Sequence, residues 1–374
     1  MQPVFVYADS LLGYDMGPQH PLKPVRLKLT HDLLDSYGIF EGKLLKQTPQ
    51  LASREMIEGV HAEEFIQAVS RLESDRETPE ARRFGFGTGD NPIFPGIFSA
   101  SLLYTGASAC AAQAVLDGCE IAVNIAGGLH HAHYNRAAGF CIFNDPAVAI
   151  QLLRRKYERV AYVDIDVHHG DGVQELFYSD PRVLTVSIHQ SGYTLFPGTG
   201  FPDEIGEGAG KGFSVNIPMA PETTDQVWIW AWREAALPIL KAFDADAVVL
   251  QMGADPHLRD PLAQLYLTAQ GWLEAVKDVK ALGKPIVALG GGGYNMSTAP
   301  RMWTLAVAAL ANVELADATP QAYHRHSDMP FLTDHLDKAT ERLLREMAEG
   351  PPHHAAQRTV AEVKTLLFPV YGLK

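Results

Sequence analysis

The chain has 374 residues, of which 47% are hydrophobic and 20% charged, ample apolar material for a large core. Lysine plus arginine is 31 against 44 for aspartate plus glutamate; the resulting charge of −13 argues against direct nucleic-acid binding, which runs on phosphate neutralisation by a basic face. The three cysteines lack CxxC spacing, which disfavours a disulfide framework or zinc ribbon, and no run approaches the ~18 apolar residues of a membrane span, so a cytoplasmic protein is expected.

In chain order, short runs rich in valine and isoleucine recur: VFVY (4–7), IAVNIAGG (121–128), VAYVDIDV (160–167), VLTVSIH (183–189), FSVNIPM (213–219), AVVLQMG (247–253) and PIVALGGGG (285–293). Several are near-continuously hydrophobic, the mark of strands covered on both faces. Helical patterns lie between many of them, at 104–118, 145–158 and 223–243. The alternation predicts an α/β protein with a mostly parallel sheet, helices on both faces, and one domain over 1–374. Within the third helix, Trp228, Trp230 and Trp232 are expected to spread over different faces and pack in the core. The polar stretch 71–90 reads as a surface loop or lid. Past about residue 312 the chain is helical and motif-poor, with PPHH (351–354) as a breaker.

Ligands of open parallel sheets bind beyond the carboxyl ends of the strands, and the unusual polar residues gather there. In VDIDVHHGDG (163–172), strand alternation puts Asp164, Asp166 and His168 on one face, with Ile165 and Val167 on the other. A further carboxylate, Asp255, follows the AVVLQMG run and reads equally as a ligand or a helix cap. Asp166, His168 and Asp255 together form a set of charge −2 that balances a divalent cation and leaves a coordination position open. Such oxygen-rich ligation suits Zn²⁺ and tolerates Fe²⁺ or Co²⁺. His169 is assigned a structural part.

After the 121–128 run, AGGLHHAHYNRAAGFCIFND (126–145) presents His130 and His131 side by side. Tandem histidines act as acid and base if each has a carboxylate orienting its far nitrogen, and Asp164 and Asp171 are available. LGGGGYN (289–295) has no following Lys-Ser/Thr and no GxGxxG register, so nucleotide binding is disfavoured. Its glycines permit close approach while presenting Tyr294, whose phenol suits a developing oxyanion. Phe140 and Phe196, each between small residues, are suited to line a narrow slot for an aliphatic chain.

These motifs, with GPQHPLKPVRLKLT (17–30), GTGDNPIF (87–94), FPGTG (196–200) and LQMGADPHLRDPL (250–262), occur in the order and spacing of one family. Over about residues 3–310 the chain resembles the zinc-dependent histone deacetylase superfamily, most closely its bacterial acetoin-utilisation group. The resemblance implies an arginase/deacetylase fold with a mostly parallel eight-stranded sheet; it transfers no motif past about 312, where the helical pattern reads as a C-terminal extension of the same domain over about 313–374. It implies hydrolysis of the amide of Nε-acetyl-lysine in proteins, with water on the metal as nucleophile. Asp166, His168 and Asp255 would bind zinc. His131, oriented by Asp171, would serve as general base and then acid, and His130, paired with Asp164, would give electrostatic support. Tyr294 would polarise the acetyl carbonyl. Phe140, Phe196, Leu262 and the Gly139 carbonyl would hold the acyl-lysine chain, Asp90 would hold the substrate backbone at the rim, and Arg26 would sit by an internal cavity.

The resemblance also implies K⁺ bound through Asp164, Asp166, His168, Ser187 and Ile188. Substrates it suggests are acetyl-CoA synthetase or a histone-like protein. Some relatives carry histidine in place of Tyr294 and handle acetyl-lysine poorly; the tyrosine favours true deacetylase activity. Asn91 and the loop 71–90 are this chain's own, and they bear on the rim. The alternatives are an acetylpolyamine amidohydrolase of the same fold, a binuclear arginase-like hydrolase, and an acetyl-lysine binder without catalysis.

Overall fold

The computed structural model describes residues 1–75, 81–324 and 330–374. Its strands are β1 (Val4–Val6), β2 (Leu45–Gln47), β3 (Ile121–Asn124), β4 (Val160–Asp164), β5 (Val183–Gln190), β6 (Ser214–Met219), β7 (Ala247–Gln251) and β8 (Ile286–Leu289). They form one eight-stranded sheet in the order β2-β1-β3-β8-β7-β4-β5-β6, with every pairing parallel. Seven of the eight match the apolar runs. The exception is β2, a short edge strand with exposed Leu45 and Lys46, where no apolar pattern is required.

Helix Ile97–Leu116 packs on β1, β3 and β8 and against helix Asp145–Leu153, which covers β4 and β7. Helices Val25–Ser36, Ala299–Leu310, Ala269–Lys280 and Asp225–Ala231 pack in succession as the second layer, and Pro351–Leu367 continues it over β6. The predicted helix at 223–243 is interrupted by a π-turn at Trp232–Ala236, just ahead of Pro238, whose ring and missing N–H disrupt regular α-helical bonding. Trp228 and Trp232 do not spread over different faces: four residues apart, they stack with centroids 6.5 Å apart and are fully buried. PPHH does mark a break: helix Lys338–Ala348 ends just before it, and its prolines open the first turn of Pro351–Leu367, where no N–H partner is needed. Of the stretch 71–90, residues 76–80 lie outside the described residues; the remainder ends one helix, Glu63–Leu72, and forms a 3₁₀ turn at Ala81–Phe84.

The strand order places the site. β3, β8, β7 and β4 are consecutive in space, and their last residues are level: Asn124 pairs with Leu289, Leu289 with Gln251, and Gln251 with Asp164. Four segments far apart in sequence thus leave the sheet side by side.

Candidate active site

β4 is buried throughout and ends at Asp164, which has no exposed surface. Its Oδ2 accepts from the Tyr162 hydroxyl at 2.6 Å and lies 2.7 Å from His130 Nδ1. Strand alternation stops here, two residues before Asp166, the first expected ligand. Two tight turns carry the chain onward instead: Asp166 N–H donates to Asp164 Oδ1 (3.1 Å) and His168 N–H to Asp166 Oδ1 (2.9 Å). The same side chains therefore shape the loop and face the site.

His168 Nδ1 lies 3.1 Å from Asp166 Oδ1 and 3.1 Å from Asp255 Oδ2. Ligand atoms of Asp166, His168 and Asp255 all lie within 4.8 Å of one another, and the three residues are buried. Asp255 caps no helix; its Oδ1 accepts from Val167 N–H at 3.0 Å. The remaining oxygen of Asp166 accepts from Gln251 Nε2 and Gly292 N–H, both at 2.8 Å. Burial and the charge of Asp166 raise the Asp255 pKa, whereas His130 and His168 hold Asp166 well below the usual range against its burial. Burial opposes the His168 proton, but the two carboxylates push its pKa up to about 10. Two enclosed carboxylates and one imidazole, converging with a shortage of positive charge, fit a divalent cation.

The tandem histidines leave β3 on a loop held by Asp145, which accepts from Gly128 N–H and Leu129 N–H, both at 2.9 Å. His130 Nδ1 faces Asp164, His131 Nδ1 faces Asp171 Oδ1 at 2.7 Å, and the two Nε2 atoms are 3.0 Å apart. Their proton affinities diverge. Burial acts against a charged His130, but Asp164 and Asp166 raise its pKa to about 9. Burial and the charge of His130 lower that of His131 to about 3 despite Asp171. A neutral imidazole beside a protonated one is the arrangement that separates a base from an electrostatic partner.

The glycine run permits backbone contact with the acid pair: a Cβ on Gly292 would meet Asp255 Oδ2 at 1.9 Å. Tyr294 follows it, with its N–H donating to Asp260 Oδ2 at 2.7 Å and its ring edge-to-face with Phe140, centroids 5.7 Å apart. Gly139 has φ +51°, and a Cβ there would meet His131 Cδ2 at 2.4 Å. Phe196 packs edge-to-face on His131, centroids 4.9 Å apart, and is 43% exposed. Gly139, Phe140, Tyr294, His130 and His131 border a small cavity of about 10 Å³. A second cavity of about 760 Å³ opens beside Phe196 and is bordered by Asp90, Asp171, Glu175, Glu204 and Glu207.

A histone deacetylase domain matches residues 20–310. The chain is 42% identical over 311 residues to the acetoin utilization protein AcuC of Bacillus subtilis, covering 80% of each. It is 38% identical over 319 residues to histone deacetylase clr6 of Schizosaccharomyces pombe, covering 84% of this chain and 78% of that one. The chain belongs to the histone deacetylase family. The crystal structure of a histone deacetylase homologue from Aquifex aeolicus superposes with a TM-score of 0.83 at 32% identity, over 93% of this chain and all of that one.

Not every residue expected from the deacetylase resemblance meets the others. Leu262 is half-buried and lines neither cavity; its N–H donates to Asp260 Oδ1 at 3.0 Å. Buried Arg26 donates to the Gly293 carbonyl at 2.9 Å and stacks over Trp303, close behind Tyr294. Asp90 is exposed at the mouth of the large cavity, where its carbonyl lies 3.2 Å from His20 Nε2. Of the residues expected to hold K⁺, Asp164 pairs in register with Ser187, whose hydroxyl lies 2.8 Å from His189 Nδ1, and Ile188 follows it in β5. His169, expected to be structural, lies 2.8 Å from Thr199 Oγ1 and 3.1 Å from Gln174 Oε1, tying the site to the loop after Phe196.

Sequence reasoning passed over Asp260, Gln251 and Asp145. Asp260 grips the N–H groups of both Leu262 and Tyr294, and burial raises its carboxyl pKa to about 6. Its signal, a second aspartate five residues after Asp255 in ADPHLRDPL, was present in the motif. For Gln251, an amide inside a buried apolar strand was the available sign.

Proposed function

We propose that this deacetylase-family hydrolase cleaves the amide of Nε-acetyl-lysine in proteins, releasing acetate and a free lysine. What carries the reading is His131: buried and holding little affinity for a proton, it packs against Phe196 and His168 and borders the small cavity with Phe140, next to the cluster of Asp166, His168 and Asp255. These three would hold Zn²⁺, with Fe²⁺ or Co²⁺ as substitutes, and such an ion acidifies water and polarises an acyl carbonyl.

The chain's own residues do the remaining work. Phe140 and Phe196 flank the aliphatic stem of the substrate and exclude water from it. The Gly139 carbonyl accepts from the amide N–H. His131 accepts a proton at Nε2, since Asp171 holds Nδ1, and returns it to the departing amine. His130 keeps its own proton through Asp164 and offsets negative charge. Tyr294 donates a hydrogen bond to the oxyanion. K⁺ at Asp164, Asp166, His168, Ser187 and Ile188 would neutralise the back of the acid cluster. Acetyl-CoA synthetase or a histone-like protein in the cytoplasm is the proposed substrate class; among the described residues no helix is long and apolar enough to cross a membrane.

One observation favours a second reading, an acetylated polyamine: the carboxylates of Asp90, Glu175, Glu204 and Glu207 around the large cavity suit a polycation. Parallel assays on an acetyl-lysine peptide and on acetylspermidine separate the two, the peptide being the better substrate by kcat/KM if the main reading holds. His131→Ala should lower kcat on either by about 10²–10⁴ with metal content unchanged. Full activity in that variant rejects the base assignment.

A further inference from the structure

Asp171 serves two histidines. Its Oδ1 holds His131, and its Oδ2 lies 3.4 Å from Nε2 of His133, in ion-pair range though off the line of a hydrogen bond. That ring nitrogen is buried and has no hydrogen-bond partner among the described residues. The other nitrogen of His133, Nδ1, is in short contact with Glu175 Oε2. Asp171 and Glu175 are four residues apart on helix Asp171–Phe177, so they share a face, and the His133 ring is wedged between them.

The backbone fixes this wedge. His133 pairs with Arg136 in a short antiparallel bridge, its carbonyl lies 3.0 Å from His61 Nδ1, and the next residue, Tyr134, donates from its N–H to Glu175 Oε1 at 3.4 Å. A neutral imidazole in this place would turn one lone pair toward a carboxylate; an imidazolium turns an N–H toward each. Side-chain exposure rises along the row from 5% at His131 to 11% at Asp171, 12% at His133 and 49% at Glu175. The row therefore runs from the buried site to the wall of the large cavity, which both His133 and Glu175 line.

We infer that His133 is a positioning residue for the base: as an imidazolium it grips the outer oxygen of Asp171 against Glu175, fixing the carboxylate that orients His131. The two carboxylates outweigh burial and raise the His133 pKa to about 9, in keeping with this geometry. The inference rests on reading His131 as the base, and its tests have separate outcomes. In ¹⁵N-histidine spectra of the intact protein at pH 7.5, assigned by comparison with His133→Gln, both ring nitrogens of His133 should carry protons. A neutral tautomer overturns the inference whatever the kinetics show. If His133→Gln does not fold, the shift of the same signals in Glu175→Gln, at a half-exposed position, supplies the assignment.

In turnover of an acetyl-lysine peptide, His133→Gln should lower kcat on the order of ten-fold, the scale of outer partners of active-site groups, with KM and metal content held. His133→Lys, which returns a cation, should recover most of the loss. A change confined to KM, or no recovery by lysine, overturns the inference. If instead His131→Ala stays active, it is the base assignment that fails, and the spectra still report the state of His133.

Discussion

The floor of the site and its rim are built by different means. On the floor, Asp164, Asp166 and Asp255 are buried at or just beyond the ends of adjacent parallel strands, and backbone or side-chain donors fix each of them. At the rim, Asp90 is exposed, Phe196 is nearly half-exposed, and the Phe196 loop hangs from side chains: Glu204 Oε1 accepts from Gly200 and Phe201 N–H, while Thr199 meets His169. Strand ends place charged groups rigidly, so the floor serves one chemistry; loops change without disturbing the sheet, so selection among substrates belongs to the rim. Floor substitutions should therefore act on kcat for every substrate, and rim substitutions on KM for particular ones.

The hardest test of the floor is Asp255→Asn. With one charge of the pair gone, metal retained after dialysis should fall, and activity should drop by more than about 10²-fold on peptide and polyamine alike. Elemental analysis and parallel kinetics measure both; retained metal with full activity breaks the ligand assignment. Tyr294→Phe comes next. Loss of one oxyanion donor should lower kcat by about 10²–10³ on both substrates while leaving metal content intact. A loss confined to one substrate would move Tyr294 from the floor to the rim.

The scaffold under the floor should show itself in stability against pH. His61 is buried, its Nε2 accepts from Asn144 N–H at 2.9 Å, and its Nδ1 is directed to the His133 carbonyl, so the ring is neutral. Burial lowers its pKa to about 4, below the ordinary histidine value of about 6.5. The unfolded chain then binds the proton more readily than the native one between those values. The contribution of His61 is full above about pH 6.5 and is lost as pH falls toward about 4. Melting temperature should decline over that window, and less steeply in His61→Gln; identical slopes would show that His61 does not govern it.

The floor was legible in the sequence because a buried apolar run that ends in Asp-x-Asp-x-His has few bland explanations. Its detailed form was not. Alternation singled out Asp166 and His168, which do converge with Asp255, but β4 ends at Asp164 and side-chain-capped turns do the placing. Asp260 and His133 contact partners 34 and 38 residues away, Tyr294 and Asp171, and only the fold makes those pairs visible. Edge strand β2 lacked a pattern because a solvent-facing edge needs none. The rim was readable only through resemblance: Asp90 came through to the mouth of the cavity, whereas Leu262 did not reach either cavity.

Asp90→Ala is the smallest expected effect and bears directly on the rim. The Asp90 side chain stands at the mouth of the large cavity, free of the strand-end framework. If its carboxylate accepts the backbone N–H groups flanking an acetyl-lysine, removing it forfeits a charge-assisted hydrogen bond of about 1.5–3 kcal/mol, or roughly ten-fold or more in KM for a peptide. Acetylspermidine has no peptide backbone, so its KM should change less, and only through the lost charge, an effect that added salt should suppress. For both substrates kcat should stay within about two-fold, since no group near His131 moves. Equal KM changes for the two substrates would mean that Asp90 acts by charge alone. A fall in kcat would mean that the rim takes part in the chemistry, and the division between floor and rim would fail.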